Sequence, residues 1–341
     1  MQLSPGKLIG MRRMADENGL FKMVAADQRP PIKGPIAKHL GLPEAPWEEV
    51  AQFKAQIVTQ LQGSSSAILL DPHFGIPAAF DRLSGDKGLV VTLEDSVFTE
   101  SNAGRFSRSI DHWNVNKIKR LGGDAVKVLA WYRPDASPEN TAFQQDYVKK
   151  VGEECQRYDL PFLLELLLYP LAGETSKSSG YIEMERKNSD LVLASIEEFA
   201  KPEYGVDLFK LESPINAEMI EDSAVVQELF NEMGRLAGRP WVMLSAGADK
   251  DSFKDILSYA FKAGASGFLA GRAIWQESFL VYPDWEKIID GLSSDGLAYL
   301  KKISTIADKE ALPWTSHQCY GKTGATLRPQ NSSFRKNYDC L

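Results

Sequence analysis

Short apolar runs recur along the chain at a nearly constant spacing, and each has the length of a β-strand. They are rich in Val, Ile, Leu and Phe, which strands accommodate well. From Asp27 in the first run to Gly271 in the last there are 244 positions over seven steps, or about 35 residues per step. The eight runs are FKMVAAD (21–27), AILLD (67–71), GLVVTLE (88–94), AVKVLAWY (125–132), PFLLELLLY (161–169), VDLFKLE (206–212), WVMLSAG (241–247) and GFLAGRA (267–273).

The segments between these runs predict amphipathic helices. Residues 251–266 begin with Asp and Ser, repeat apolar residues at helical spacing and reach Gly264 near their end. Residues 195–205 end a similar pattern in a Pro and a Gly. Eight alternations of strand and helix predict an α/β protein with the (β/α)8, or TIM, barrel fold. A doubly wound open sheet is the alternative, but no Gly-x-Gly-x-x-Gly turn follows the first run, so a dinucleotide site is not supported.

The chain outside the repeat predicts a domain boundary. Residues 1–20 indicate a leading helix and residues 284–310 a terminal helix, so that 1–312 form one barrel domain. From Pro313 the sequence is polar and non-periodic. We therefore expect residues 313–341 to be a C-terminal extension that is mobile or lies on the surface.

Composition and charge narrow the class of function. Of the 341 residues 43% are hydrophobic, and the net charge of -7 argues against a nucleic-acid-binding role. No apolar run reaches the length of a membrane span, and the N-terminal segment lacks the features of a signal peptide. Three cysteines and four scattered histidines form neither a disulfide framework nor a metal motif. We expect a cytoplasmic protein without a metal.

Polar side chains are concentrated at the ends of the predicted strands. Chemistry in (β/α)8 barrels is carried out at the C-terminal ends of the strands, so that these residues are candidates for an active site. They are Asp27, Asp71, Glu94, Lys127, Glu165, Lys210, Glu212, Ser245 and Arg272.

Two lysines and a glutamate among them can meet inside the barrel. Side-chain alternation puts Lys127 on strand four and Lys210 on strand six on inward faces, with Glu165 on the strand between them. Two neighbouring ammonium groups lower the pKa of at least one of them, and a neutral amine attacks a carbonyl to form a Schiff base. A nearby carboxylate can move the protons. The alternative is a structural ion pair that fills the mouth of the barrel.

For the other strand-end residues the sequence allows both a functional and a structural role. Glu212 can be a charge partner of Lys210 or a structural group, and the sequence does not decide between the two. Glu94 is equally undecided. Asp71 precedes Pro72 and is expected to cap its loop, and His73 is expected to be a loop residue.

The last two strands predict an anion site. LSAGADK follows strand seven and LAGRAIW spans the end of strand eight. Small residues expose backbone N–H groups, Ser245 adds a hydroxyl, and Arg272 adds a guanidinium that can bind an anion through two hydrogen bonds. The loops after strands seven and eight form the recurrent phosphate site of this fold.

The motifs in this order resemble those of the class I tagatose 1,6-bisphosphate aldolase family, the Schiff-base aldolases of the DeoC/LacD type. The resemblance extends over roughly residues 10–310, and its most specific part is the strand-six lysine with the strand-five glutamate. The matching stretches are AADQR (25–29), SSSAILLDPHFGIPA (64–78), NAGR (102–105), DAVKVL (124–129), PFLLELLLY (161–169), DLFKLESP (207–214), LSAG (244–247) and AGRAIW (270–275).

The resemblance implies a role for each matching residue. Lys210 is the implied Schiff-base lysine, Glu165 the acid and base, and Lys127 the neighbouring lysine. Asp27 is implied to assist carbon–carbon cleavage at the C4 hydroxyl. The implied phosphate ligands are Ser245, Gly247, Gly271 and Arg272, and Gln28 and Arg29 are implied to reach substrate oxygens or a second anionic group.

The implied activity is reversible cleavage of a ketose 1,6-bisphosphate, with tagatose 1,6-bisphosphate as the expected substrate. The products are dihydroxyacetone phosphate and glyceraldehyde 3-phosphate, and no cofactor is needed because the Schiff base forms on Lys210. We expect no nucleic-acid or membrane partner, and a homo-oligomer is compatible with the sequence. The alternatives are a sulfofructose 1-phosphate aldolase and a non-catalytic sugar-phosphate-binding regulator. A metal-dependent aldolase is disfavoured because histidines are lacking at the strand ends.

Overall fold

Eight parallel strands close into a barrel, which confirms the predicted (β/α)8 fold. The computed structural model describes residues 1–101, 104–171, 174, 188–216, 223–329 and 332–338. The barrel strands are β1 (Phe21–Ala25), β2 (Ala67–Leu70), β3 (Gly88–Thr92), β6 (Ala125–Trp131), β7 (Phe162–Leu167), β8 (Leu208–Leu211), β9 (Trp241–Met243) and β10 (Gly267–Ala270).

Every predicted strand is confirmed, and each ends one to four residues before its predicted end. The barrel closes between the first and last strands, where Phe21 pairs with Gly267. Gly267 has φ +144°, and a Cβ there would lie 1.9 Å from the carbonyl oxygen of Phe21. Only glycine therefore allows the two backbones to approach this closely.

One hairpin interrupts the regular alternation and was not predicted. Strands β4 (Thr99–Ser101) and β5 (Gly104–Phe106) pair antiparallel in the connection between β3 and the next helix. They are three residues long each, too short to show an alternating pattern. The hairpin brings Arg105 over the C-terminal end of the barrel, beside Trp131 and Tyr169.

Helices surround the barrel, and several begin at side-chain caps. The carboxylate of Asp249 accepts hydrogen bonds from the first N–H groups of one helix, and Ser137 caps another. The predicted terminal helix is confirmed as two helices joined by one π-helical turn at Leu292–Gly296. No helix within the described ranges is both long and apolar enough to cross a membrane. The helices are α1 (Pro5–Met14), α2 (Pro30–Leu40), α3 (Trp47–Leu61), α4 (Gly75–Ala79), α5 (Val115–Leu121), α6 (Pro138–Arg157), α7 (Ser189–Phe199), α8 (Ser223–Ala237), α9 (Lys250–Lys262), α10 (Arg272–Phe279), α11 (Trp285–Gly291), α12 (Leu297–Glu310) and α13 (Phe334–Asn337).

The buried apolar residues form two main layers. One lies between the barrel and its helices, and the other fills the barrel interior. Alternate residues of each strand belong to the interior layer, as the side-chain period of two requires. Its strand members are Phe21, Met23, Ala25, Ala67, Leu69, Val90, Ala125, Leu163, Leu208, Val242 and Leu269.

Part of the C-terminal extension packs under the N-terminal end of the barrel. Trp314 is 1% exposed, and its ring stacks on that of Phe21 with centroids 6.4 Å apart. Tyr320 packs edge-on against Trp314, and Leu327 forms a β-bridge with Leu3. Trp314 and Tyr320 therefore belong to the interior layer, a contribution that the non-periodic sequence did not predict.

Candidate active site

Three adjacent strands bring Lys127, Glu165 and Lys210 together. Glu165 on β7 pairs directly with Lys210 on β8, and their side chains point into the barrel. The Oε1 atom of Glu165 lies 2.8 Å from Nζ of Lys210, and its Oε2 atom lies 2.7 Å from Nζ of Lys127. One carboxylate therefore links the two lysines, which fits a group that exchanges protons with both.

Lys127 lies at the centre of a buried cluster of carboxylates. Its Nζ atom is 2.8 Å from Asp27, 2.6 Å from Glu94 and 2.7 Å from Glu165. The Lys127 side chain is 2% exposed, so little water screens these charges. Asp27 follows β1, Glu94 follows β3 and Glu165 lies on β7, and the closed barrel alone makes these segments neighbours.

The environment of the cluster shifts the pKa values of Asp27 and Glu94 in opposite directions. Burial raises the pKa of Asp27, but the positive charges of Lys127 and Lys210 outweigh it and hold the pKa well below its usual value. Burial also raises the pKa of Glu94, and there it exceeds the opposing effects of Lys127 and Arg29. Of these two carboxylates, Asp27 therefore keeps its ionised form more strongly, and Glu94 takes up a proton more readily.

Buried acceptor atoms of the cluster lack donors within the described part of the chain. They are Oδ1 of Asp27, Oε2 of Glu94 and Oε1 of Gln28. A buried acceptor without a donor costs about 1–3 kcal/mol. Those of Asp27 and Gln28, which line the cavity, can accept hydrogen bonds from the hydroxyl groups of a polyol substrate.

The loops after β9 and β10 form the second half of the site. The N–H of Ala248 donates to the carbonyl of Ser245 at 2.8 Å, and Ala246 and Gly247 between them have φ of +45° and +73°. Two left-handed residues in succession are typical of a type I′ turn. A Cβ on Gly247 would lie 2.9 Å from Nη1 of Arg272, so the guanidinium packs against this turn.

Helix α10 starts beside this turn. Gly271 is its N-cap, and the N–H groups of its first turn face the same end of the barrel as Arg272. A Cβ on Gly271 would lie 2.7 Å from Nε2 of Gln28. A helix N-terminus, an arginine and a serine hydroxyl together favour an anionic group.

Both halves of the site line one cavity at the C-terminal end of the barrel. Of the ten site residues predicted from the sequence, the cavity brings eight together, and Leu129, Leu167, Leu244, Ala246 and Leu269 supply its apolar walls. The eight are Asp27, Gln28, Lys127, Glu165, Lys210, Ser245, Gly271 and Arg272.

The remaining two predicted residues lie next to the cavity. Gly247 packs against the guanidinium of Arg272. Arg29 is 3% exposed, and its Nη2 atom donates to the carbonyl oxygen of Glu94 at 3.1 Å. Arg29 therefore orders the carboxylate cluster from the outside.

The open roles of the other strand-end residues now have structural explanations. Asp71 forms a fully buried ion pair with Lys54 and accepts the N–H groups of His73 and Phe74, each at 2.9 Å. Glu212 accepts a hydrogen bond from the N–H of Leu168 at 2.7 Å. Asp71 and Glu212 each hold a loop at a strand end.

Two features of the site were not assigned from the sequence. Glu94 was among the strand-end residues, but nothing near it in sequence indicated that it contacts Lys127. Arg105 stacks against the rings of Phe98, Trp131 and Tyr169, with centroid distances of 4.4, 4.7 and 5.0 Å. The NAGR segment that contains Arg105 was a signal, but its position over the barrel depends on the hairpin.

Comparisons with known proteins find similar sequences and a similar fold. Residues 21–277 match the family model described as DeoC/LacD family aldolase. A tagatose 1,6-diphosphate aldolase of Listeria monocytogenes serotype 4b is 32% identical over 92% of this chain and 95% of that protein. Tagatose 1,6-diphosphate aldolase 2 of Streptococcus mutans is 30% identical over 94% of this chain and 100% of that protein.

A solved structure of a Schiff base forming fructose-1,6-bisphosphate aldolase superposes with a TM-score of 0.55. It is 16% identical and covers 88% of this chain and 98% of that one, so that the likeness concerns the fold alone.

Proposed function

The chain belongs to the DeoC/LacD family of aldolases, which are carbon–carbon lyases, and from this premise we propose that it cleaves a ketose 1,6-bisphosphate through a Schiff base on Lys210. The proposed substrate is tagatose 1,6-bisphosphate, because the relatives at 30–32% identity carry that name. The products are dihydroxyacetone phosphate and glyceraldehyde 3-phosphate.

One observation carries the proposal. Lys210 and Lys127 share the carboxylate of Glu165 inside the cavity, at 2.8 and 2.7 Å. A structural ion pair requires only one cation, whereas imine chemistry needs a nucleophilic amine, a proton carrier and a second cation. The neighbouring anion site favours a phosphorylated substrate.

The reaction follows from these positions. Lys210 attacks the C2 carbonyl, Glu165 moves the protons as water leaves, and the iminium withdraws electrons from C3. Asp27 accepts the C4 hydroxyl proton through a carboxylate oxygen, the C3–C4 bond breaks, and the enamine is protonated at C3. Water then hydrolyses the resulting iminium and releases dihydroxyacetone phosphate from Lys210. Because the low pKa of Asp27 makes it a weak base, the iminium has to supply most of the driving force.

The anion site sets the orientation of the substrate. Ser245, Gly271 and Arg272 hold the C1 phosphate, with the Gly247 turn supporting the guanidinium. The sugar then extends past Lys210 towards Gln28. Arg29 acts indirectly, because its guanidinium donates a hydrogen bond to the backbone carbonyl of Glu94 and so fixes the position of that segment.

Two alternatives remain distinct from this proposal. A sulfofructose 1-phosphate aldolase would use the same lysine and C1 phosphate site and would differ in the group at C6. A non-catalytic sugar-phosphate regulator would bind the same ligands without turnover. A panel of tagatose 1,6-bisphosphate, fructose 1,6-bisphosphate and sulfofructose 1-phosphate, assayed for triose phosphate release with EDTA present, separates these possibilities.

The decisive experiment traps the imine. Borohydride added with dihydroxyacetone phosphate should fix a stable adduct on the peptide that contains Lys210, and Lys210→Met should abolish both adduct and turnover. Lys201→Met is a matched control, because Lys201 is exposed and pairs with Glu198 on the surface. An adduct on Lys127 would reverse the roles of the two lysines. Turnover that EDTA removes and zinc restores would refute the Schiff-base mechanism.

A further inference from the structure

Glu94 is a third carboxylate of the site to which no role has yet been given. It follows β3, is 4% exposed and contacts Lys127 through Oε1 at 2.6 Å. Its backbone is fixed on two sides, by Arg29 at its carbonyl and by a β-bridge to Ser109. A side chain held this firmly, with a buried Oε2 atom that has no described donor, is not an ordinary surface charge.

A continuous chain of short contacts joins Glu94 to Lys210. Lys210 lies 2.8 Å from one oxygen of Glu165, and the other oxygen lies 2.7 Å from Lys127. Lys127 lies 2.6 Å from Glu94. Each contact is short enough for proton transfer. Two side chains, Glu165 and Lys127, therefore connect the nucleophile to a carboxylate that the substrate does not need to touch.

The charges of the cluster indicate where a proton can reside. Three carboxylates, two lysines and Arg29 sum to zero when all are ionised, and a buried cluster tolerates little net charge. If Lys210 gives up its proton to react as an amine, the sum becomes negative unless a carboxylate takes that proton. Glu94 faces Asp27 after β1 and Lys127 on β6, with Arg29 and Tyr147 of α6 within electrostatic range. Burial raises its pKa, whereas the same cluster lowers the pKa of Asp27.

We propose that Glu94 stores the proton of Lys210 during imine formation, acting through Lys127 and Glu165. This deepens the proposed function and depends on it. Lys127 gives a proton to Glu94, and Glu165 takes a proton from Lys210. Glu165 then passes this proton to Lys127, which regains its charge. The free amine attacks C2, one of its protons moves through Glu165 to the C2 oxygen, and a neutral carbinolamine results. The stored proton returns by the same route to the C2 hydroxyl, water leaves, and the iminium keeps one positive charge, so that all protons are accounted for.

The test measures the rate of imine formation separately from substrate binding. Glu94→Gln keeps the size of the side chain but cannot store a proton. Rapid mixing with dihydroxyacetone phosphate and quenching with borohydride should show adduct formation slowed by about 100-fold at neutral pH. The concentration for half-saturation should stay within about threefold, because the anion site is untouched. Glu94→Asp should recover at least about tenfold of the loss.

The pH dependence distinguishes proton storage from a structural role. At high pH hydroxide in solution can remove the proton of the amine in place of Glu94, so that the difference between wild type and Glu94→Gln should shrink as pH rises. A structural role predicts a constant ratio. Glu212→Gln is the matched control, since Glu212 is also a buried strand-end glutamate but binds a backbone N–H, and its adduct should form at the wild-type rate.

The outcomes separate the two proposals. If the wild type forms no adduct, the proposed function fails. If the wild type forms the adduct and Glu94→Gln forms it equally fast, or with a pH-independent defect, the role of Glu94 fails alone.

Discussion

Replacing Lys127 by Met should reverse the pH dependence of the contribution that the carboxylate cluster makes to the free energy of unfolding. The substitution keeps most of the side-chain volume but removes the cation that contacts Asp27, Glu94 and Glu165. Breaking a buried ion pair by deleting one partner costs about 3–5 kcal/mol, because the charges left behind remain desolvated. An unfolding entropy of about 2.1 cal/mol/K per residue gives roughly 0.7 kcal/mol/K for a chain of this length, so Tm should fall by about 4–7 °C.

The sign of the pH effect follows from the carboxylates. In the wild type the pKa of Asp27 lies below its unfolded value, so its contribution is present above about pH 4 and is lost as pH falls through the folded pKa. Without the ammonium of Lys127, burial dominates and raises the pKa of Asp27, as it already does for Glu94. The variant should therefore be closest to wild type at low pH and lose stability as pH rises.

The assay is urea unfolding of both proteins between pH 5 and pH 8. Lys54→Met is the matched control, since Lys54 is also fully buried against a carboxylate, that of Asp71, but does not line the cavity. It should lose comparable stability and keep its turnover per folded molecule. Lys127→Met should still form the borohydride adduct on Lys210, more slowly. Equal stability of wild type and Lys127→Met at pH 8 would refute this account of the cluster.

Two further predictions concern the anion site and the C-terminal extension. Arg272→Ala removes charge-assisted hydrogen bonds worth about 1.5–3 kcal/mol, so KM for tagatose 1,6-bisphosphate should rise about 10- to 150-fold with the fold intact. The exposed Arg235→Ala serves as control, and an unchanged KM would place the phosphate elsewhere. Trp314→Ala should lower the free energy of unfolding by about 3–5 kcal/mol, as measured by urea titration. It should leave kcat unchanged, because Trp314 packs on Phe21 at the opposite end of the barrel from the site. Trp47→Ala, at a half-exposed tryptophan, should cost far less, and equal losses would show that the extension adds little stability.

The sequence by itself determined the strands and the direction of their side chains. Each strand is encoded by three to seven neighbouring residues. Alternation assigns Lys127, Glu165 and Lys210 to inward faces without reference to the rest of the chain. The contiguous motifs after the last two strands also indicated the anion-binding roles of Ser245 and Arg272, and the resemblance to aldolases added roles for Asp27, Gly247 and Gly271. These features depend on local backbone preference and hydrophobic period, which a linear sequence displays directly.

Only the tertiary structure decided which side chains meet across the barrel. Asp27 and Lys127 are 100 positions apart and touch because the barrel closes. Glu94 and Glu212 look alike in sequence, yet one contacts Lys127 and the other a backbone N–H. Burial inside the closed barrel also sets the opposite pKa shifts of Asp27 and Glu94. The physical reason is that charge interactions and desolvation depend on distance and solvent exposure in the folded chain, and both are fixed by contacts between segments far apart in sequence.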